Sequence, residues 1–339
     1  MYAVAAFSQA EPPGQAAGAS YNSIINRGAA PFRNGWDRTR RTARNTGPLL
    51  AERGAFKDAM KIPSLGIVGV GLIGGSIGLA AKRRGLVDRV VGVGWRQTTL
   101  DLARDLGIID EGSLDLERSL RRCEFIVFCT PVDQIVDQVL TAAQVCEPGT
   151  LLTDAGSTKS TIVRSLEGRL PGHVHFVGSH PLAGSEKRGP QYADANLFHG
   201  RLTVVTQTEN TNPAAVEPVV GFWRALGSRV RIMNPEEHDR ALALTSHLPH
   251  LASSALARVL PAELHDLTAT GFRDTTRVAA GDPALWAGIF EQNRPAVLAA
   301  LNELTDSLQQ FRRALEAGDK AALLSLLDQA KKVRDALGS

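Results

Sequence analysis

The chain has 339 residues, enough for two ordinary domains, and its 43% hydrophobic and 22% charged content is the balance of a packed core under a charged surface. A formal net charge of +3 is too small at this length to call for nucleic acid or an anionic membrane as a partner. The three cysteines, Cys123, Cys129 and Cys146, form no CxxC pair, which argues against a disulfide framework or a thiolate metal site and fits a reducing cytoplasm.

Residues 1–60 are rich in Ala, Gly, Pro, Asn and Arg and carry no helical or strand period, so they are expected to form a disordered leader. Its basic run from Arg38 to Arg44 reads as solvated charge rather than a nucleic-acid arm or transit peptide, and Met60 offers an alternative start just before the first strand. From Ile62 short apolar strands alternate with helical stretches. Leu65–Val70, Arg89–Val93, Phe125–Cys129, Leu151–Thr153, His175–Gly178 and Leu202–Thr206 read as strands, with amphipathic segments such as Ile77–Arg84, Thr99–Leu106 and Asp133–Val145 between them. That alternation predicts a doubly wound parallel sheet. The uncharged stretch from Leu65 to Ala81 falls short of the ~20 residues of a membrane span and is broken by glycines, so no membrane segment is expected. Cys123 and Cys129 flank the apolar run 125–128 as buried, inert thiols. After Asn212-Pro213 the strand pattern stops and long helical patterns such as Ala296–Leu315 and Lys320–Ala336 take over. The expected division is a dinucleotide-binding domain over 61–210 and a helical substrate and dimerisation domain over 211–339. A homodimer is expected because residues 296–336 hold more apolar positions than one small domain can cover.

Gly69-Val-Gly71-Leu72-Ile73-Gly74 follows an apolar strand directly and opens into a helix. Gly69 permits a tight turn, Gly71 lets backbone approach a pyrophosphate, and Gly74 lets helix pack closely on strand, the three requirements of a Rossmann-type dinucleotide site. The second strand ends on Gly94 where NAD-binding proteins carry an acid for the ribose hydroxyls; Trp95 and Arg96 follow. Without the acid a 2′-phosphate is not repelled, and Arg96 can attract it, so NADP is expected to be preferred with NAD possible. Thr130 and Pro131 end the next strand on the same cofactor edge.

Polar residues also collect at later strand ends and in the helical half. They form TDAGSTK at 153–159, GSHPLAGSEKRG at 178–189, EEHD at 236–239, SHLPH at 246–250 and GFRDTTRVA at 271–279. Together with the glycine motif, Asp282-Pro-Ala-Leu-Trp286 and Asn293, in this order, the set resembles the prephenate/arogenate dehydrogenase family over about residues 62–309. The resemblance implies oxidation of a ring carbinol with NAD(P) while the ring carboxylate leaves as carbon dioxide, in tyrosine biosynthesis. It further implies His180 as the catalytic histidine and Ser157 as a hydrogen-bond partner of substrate hydroxyl or nicotinamide. Arg277 would anchor the substrate, His250 would touch its side chain, and His247 would support it. Arg273 stands where related sequences carry Lys, and Ser185 and Glu186 would line the same pocket. The residue types suit this chemistry on their own terms: histidine titrates nearest working pH, and guanidinium matches carboxylate. His247 and His250 have a metal-like spacing, but Pro249 between them breaks the register, so no metal is expected. Rival readings are another two-domain dehydrogenase of the 3-hydroxyacid type, with Lys159 in catalysis, and a dinucleotide sensor without catalysis.

Overall fold

The computed structural model describes residues 61–338, so the expected leader over 1–60 and its basic run lie outside them. Strands β1 (Ile62–Val68), β2 (Val87–Val93), β3 (Glu111–Ser113), β4 (Phe125–Phe128), β5 (Leu151–Asp154) and β6 (His175–Val177) form one all-parallel sheet in the order β3-β2-β1-β4-β5-β6. The order reverses between β1 and β4, and in an open α/β sheet the ligand crevice lies at that switch point, beyond the carboxyl ends of the strands. Helices α1 (Leu72–Arg83), α2 (Gln97–Asp105), α3 (Leu116–Leu120), α4 (Val132–Ala143) and α5 (Ser160–Leu166) make the crossovers. The central strands are buried on both faces, with Leu65, Ile67, Ile126, Val127 and Phe128 inaccessible to solvent, which is why they read as continuous apolar runs rather than alternating ones.

Two expectations are corrected here. Leu202–Thr206 does not extend the parallel sheet. As β8 it lies between β7 (Ser179–Pro181), antiparallel to it, and β9 (Arg229–Met233), parallel to it, in a separate three-stranded sheet. Nor do strands stop at Asn212. Helix α6 (Pro213–Ala225) buries Val219, Val220, Phe222 and Trp223 in the same core as Leu65, Ile67 and Val127, and β9 follows it. β9 escaped the sequence reading because its ArgValArgIleMet pattern leaves both arginines and Ile232 at the surface of an edge strand, where charge is a common guard against pairing.

The helical half begins with α7 (Pro235–Leu242), capped by Asn234 in a reciprocal arrangement with Glu237. A π-helical turn over Ala243–His247 leads into α8 (Leu248–Arg258), with Pro249 in its first turn. Because a proline there needs no amide donor, the helix continues through it with a changed register rather than ending. Helices α9 (Thr270–Thr276), α10 (Pro283–Gln292), α11 (Arg294–Glu316) and α12 (Lys320–Ala336) complete it. Through α10 this half docks on the first: Ile289 is buried, and with the partly buried Trp286 it joins the core built from Val132, Ile135 and Phe128. No helix among the described residues is long and apolar enough to cross a membrane.

Candidate active site

The nucleotide-binding features come first in the chain and at the centre of the sheet. Gly69 has a φ of +91°, and a Cβ there would lie 2.8 Å from the Cys129 carbonyl oxygen. Any side chain at that turn would therefore be strained and would push β1 and β4 apart. A Cβ on Gly74 would strike the Gly69 carbonyl, which explains the close helix-on-strand packing. A Cβ on Gly71 would meet nothing within 4 Å, so this glycine faces open space, as backbone prepared for a phosphate must. It is the N-cap of α1, where no side chain caps the helix and no acid stands in the first turn; the free amides of Leu72 and Ile73 remain available to an anion. Thr130, buried, donates through Oγ1 to Gln138 Oε1 at 2.6 Å, and Pro131 is the N-cap of α4. Gly94 closes β2 by donating to the Ser113 carbonyl at 3.1 Å, and Trp95 and Arg96 are exposed just beyond it. These residues fit a dinucleotide.

His180 sits in β7, half-buried, with Nδ1 2.9 Å from Nε2 of His238. His238, fully buried in α7, places its own Nδ1 2.7 Å from Asp239 Oδ1. The Asp239 carboxylate also accepts the backbone N–H groups of Lys159 and Ser160, each at 2.8 Å, which ties α7 to the start of α5. Burial opposes its ionisation, but the hydrogen bonds from His238 and from these amides hold its pKa below the usual carboxylate value. Burial pushes His180 well below the usual histidine pKa, reinforced by the nearby His238, Lys159 and His247. It is neutral at pH 7 and able to accept a proton.

Beneath this pair, Lys159 is inaccessible to solvent and its Nζ is paired with Asp154 Oδ2. Burial lowers the lysine pKa, and the Asp154 carboxylate resists that shift. Asp154 additionally accepts from the amides of Gly156 (2.9 Å) and Ser179 (3.0 Å), fixing the strand that carries His180. Ser157 lies half-buried in the loop between Asp154 and Lys159.

From the helical half, Asn293 Nδ2 donates both to the Asp239 carbonyl at 2.8 Å and to His247 Nδ1 at 3.0 Å. His247 is buried and held at a pKa of about 4 by that burial. His250 is buried too, stacked on Trp286 with ring centroids 3.6 Å apart, and its Nδ1 has no hydrogen-bond partner among the described residues. A Cβ on Gly281 would lie 2.5 Å from the Trp286 Nε1 and 2.9 Å from His250 Cε1, so this glycine makes room for the stack.

The remaining expected residues are at the surface. Arg273 and Arg277 are exposed on α9 and the 3-10 turn after it, and neither is in an ion pair among the described residues. Their shared helical face is cut short because α9 ends at Thr276. Ser185 and Glu186 are exposed in the loop after β7, where Ser185 Oγ accepts from the Lys187 amide at 3.3 Å. The same loop reaches the helical half through an ion pair between Arg188 and Asp282. His238, Asp239, Asp154 and Trp286 were not singled out by sequence for a role in the site, although the adjacent His-Asp pair in EEHD was the available signal. All three cysteines are free thiols; burial raises the pKa of each, and Cys146 is pushed up to about 11. No group of three His, Cys, Asp or Glu disposed to hold a metal occurs among the described residues.

Comparison with known proteins gives the family. The model of the prephenate dehydrogenase nucleotide-binding domain matches residues 77–232, and that of the prephenate dehydrogenase dimerization domain matches 234–329. The chain belongs to the prephenate dehydrogenase family. It is 32% identical to the cyclohexadienyl dehydrogenase of Zymomonas mobilis over 280 residues, 80% of this chain and 95% of that one. A crystal structure of Aquifex aeolicus prephenate dehydrogenase in complex with hydroxyphenyl propionate and NAD+ superposes with a TM-score of 0.77 at 30% identity. It covers 82% of this chain and 99% of the other. Synechocystis arogenate dehydrogenase gives 0.69 at 31% identity over 81% and 99%. The protein is thus an oxidoreductase of tyrosine biosynthesis, catalysing NAD(P)-dependent oxidative decarboxylation, with a Rossmann-type first half and a helical second half.

Proposed function

We propose that the substrate is prephenate or arogenate, oxidised at the ring carbinol with NADP in preference to NAD. The observation that carries the reading is a neutral, half-buried histidine, His180, in a strand next to the sheet's ligand edge and backed by a buried hydrogen-bond network from both halves. When bound, the nicotinamide supplies the hydride acceptor. Gly69, Gly71, Leu72, Ile73 and Gly74 would hold the pyrophosphate, with Thr130 and Pro131 on the nicotinamide side and Arg96 at the ribose 2′-phosphate. His180 accepts the carbinol proton while Ser157 orients the hydroxyl. Arg277 anchors a substrate carboxylate with Arg273, Ser185 and Glu186 around it. His250 meets the side chain, its unpartnered Nδ1 being a buried polar atom that a ligand can satisfy, and His247 supports it.

The 3-hydroxyacid reading needs an accessible Lys159, and that amine is sealed against Asp154. A mere sensor would not need His180. Initial rates of reduced-nucleotide formation with prephenate, arogenate and 3-hydroxyisobutyrate, each with NADP and NAD, test the assignment. Activity on the last alone, or on none, would overturn it.

For cofactor choice, an acid is missing at Gly94 and an exposed guanidinium stands at Arg96. Wild-type preference for NAD, or equal damage to both nucleotides in Arg96→Ala, would refute NADP preference. The domain boundary is drawn at about residue 234, since α6 and β9 pack with the first half. A homodimer through the helical half accounts for Leu308, Leu315, Leu324, Leu327, Val333 and Leu337, all more than half exposed on or just after the last two helices. Light scattering giving a monomer at micromolar concentration would refute it. A reducing cytoplasm suits the three free thiols.

A further inference from the structure

The His180–His238–Asp239 chain has only one consistent set of protons. Asp239 Oδ1 and Oδ2 both receive backbone N–H groups, and the carboxylate has no proton to give. The ring nitrogen facing it, His238 Nδ1 at 2.7 Å, must therefore be the N–H donor. In a neutral imidazole the other nitrogen is then bare, so His238 Nε2 is an acceptor. Across 2.9 Å it faces His180 Nδ1, which must carry the proton. The consequence falls on the far nitrogen of His180, Nε2, which is left with a free lone pair.

We propose that His238 and Asp239 are positioning residues that lock His180 in its Nδ1–H tautomer, so that Nε2 always faces the substrate as the proton acceptor. The inference rests on the reading of His180 as the base. In the step itself the carbinol O–H bond breaks and its proton forms the N–H bond at Nε2, the O–H electron pair becomes the carbonyl π bond, and the carbinol C–H bond is given up as the hydride that a bound oxidised nicotinamide would accept. The imidazolium so formed still donates through Nδ1 to His238, whose own N–H points at the Asp239 carboxylate. A third group orienting a catalytic imidazole is the general logic of nucleophile–base–orienter triads, where a wrong tautomer costs orders of magnitude in rate. The charged and titratable groups around His180 are His238, Lys159 with Asp154 behind it, Asp239 and His247.

Two variants and one spectrum test the lock. His238→Leu removes the acceptor and is expected to lower kcat by on the order of 10²–10³ with the KM for nucleotide unchanged. His238→Gln keeps an acceptor oxygen and is expected to recover at least about tenfold of that loss. Histidine ¹⁵N correlation spectra of the wild-type holoenzyme should show His180 and His238 both protonated on Nδ1 and bare on Nε2, a readout that does not depend on either variant folding. A His180 proton on Nε2 would overturn the lock, as would a folded His238→Leu with kcat within about threefold of wild type. The parent reading fails separately: should His180→Asn keep near-normal kcat, the base assignment is lost whatever His238 does.

Discussion

Replacing Lys159 by Met separates the role of that lysine from the rival reading in which it is catalytic. The substitution keeps the length of the chain but removes the ammonium paired with Asp154, leaving a carboxylate at zero accessibility with only the Gly156 and Ser179 amides for compensation. Breaking a buried pair from one side costs about 3–5 kcal/mol, because the survivor remains buried and charged. The two retained amide bonds place the expected loss at the lower end, about 3 kcal/mol. At roughly 2–4 °C per kcal/mol for a protein of this size class, Tm should fall by about 6–12 °C. The double variant Lys159→Met with Asp154→Asn discards both charges and should recover part of that fall, since no buried charge is left uncompensated and the one carbonyl oxygen of the amide still accepts from one of the two backbone donors. Calorimetry on the single and double variants measures this, alongside initial rates at 15 °C where both are folded. A Lys159→Met protein with wild-type Tm and a collapsed kcat would refute the reasoning and make the lysine a catalytic group.

His180→Asn should keep fold and nucleotide affinity and lower kcat by on the order of 10²–10⁴, read from initial rates with saturating substrate. Arg277→Ala should raise the KM for substrate with little change for nucleotide; equal weakening of both would point to a folding fault instead. Gly281→Ala pushes a methyl between Trp286 and His250 and should raise the substrate KM and quench or shift tryptophan fluorescence; a variant identical to wild type in both would show that the stack is not confined. Stability should fall as pH drops from about 6.5 toward 4, because His180, His238, His247 and His250 all have depressed pKa values in the fold and bind protons more readily when unfolded. His247, held at about 4, contributes about 3 kcal/mol of that loss, so His247→Asn should flatten the dependence of Tm on pH over this window.

The parallel sheet was legible because its strands are short apolar runs between amphipathic helices, and burial on both faces leaves that mark directly in the residue types. The glycine motif was legible for a similar reason: φ at Gly69 and the missing Cβ at Gly74 are demands of the local backbone. Where the pattern was set by distant partners it failed. β9 carries arginines because it is an edge, and α6, although apolar, belongs to the first half because Phe222 packs on Phe125 of β4 and Trp223 packs on Phe198 and donates to Ser179 Oγ. A helical period tells that a face is buried and is silent on what buries it.

The same limit explains what was missed in the site. His180 stood out by its place at a strand end, but its neighbours come from residue 238, 58 positions on. That distance is bridged by α7 docking on α5 through Asp239, and the contact needs the Asp239 side chain to replace two amide partners that α5 cannot supply to itself at its first turn. One carboxylate therefore closes two deficits at once, the orphan donors of a helix start and the open ring nitrogen of a buried histidine. Its neighbour Asn293, from a third segment, answers a third, bonding the Asp239 carbonyl and His247. Each of these residues is polar at a position whose helical period calls for an apolar one. A polar residue in that position has to be satisfied by something outside its own element. Conflict between local pattern and residue type was thus the readable signal at His238, Asp239, His247 and Asn293, and it marks where the two halves of the molecule meet around His180.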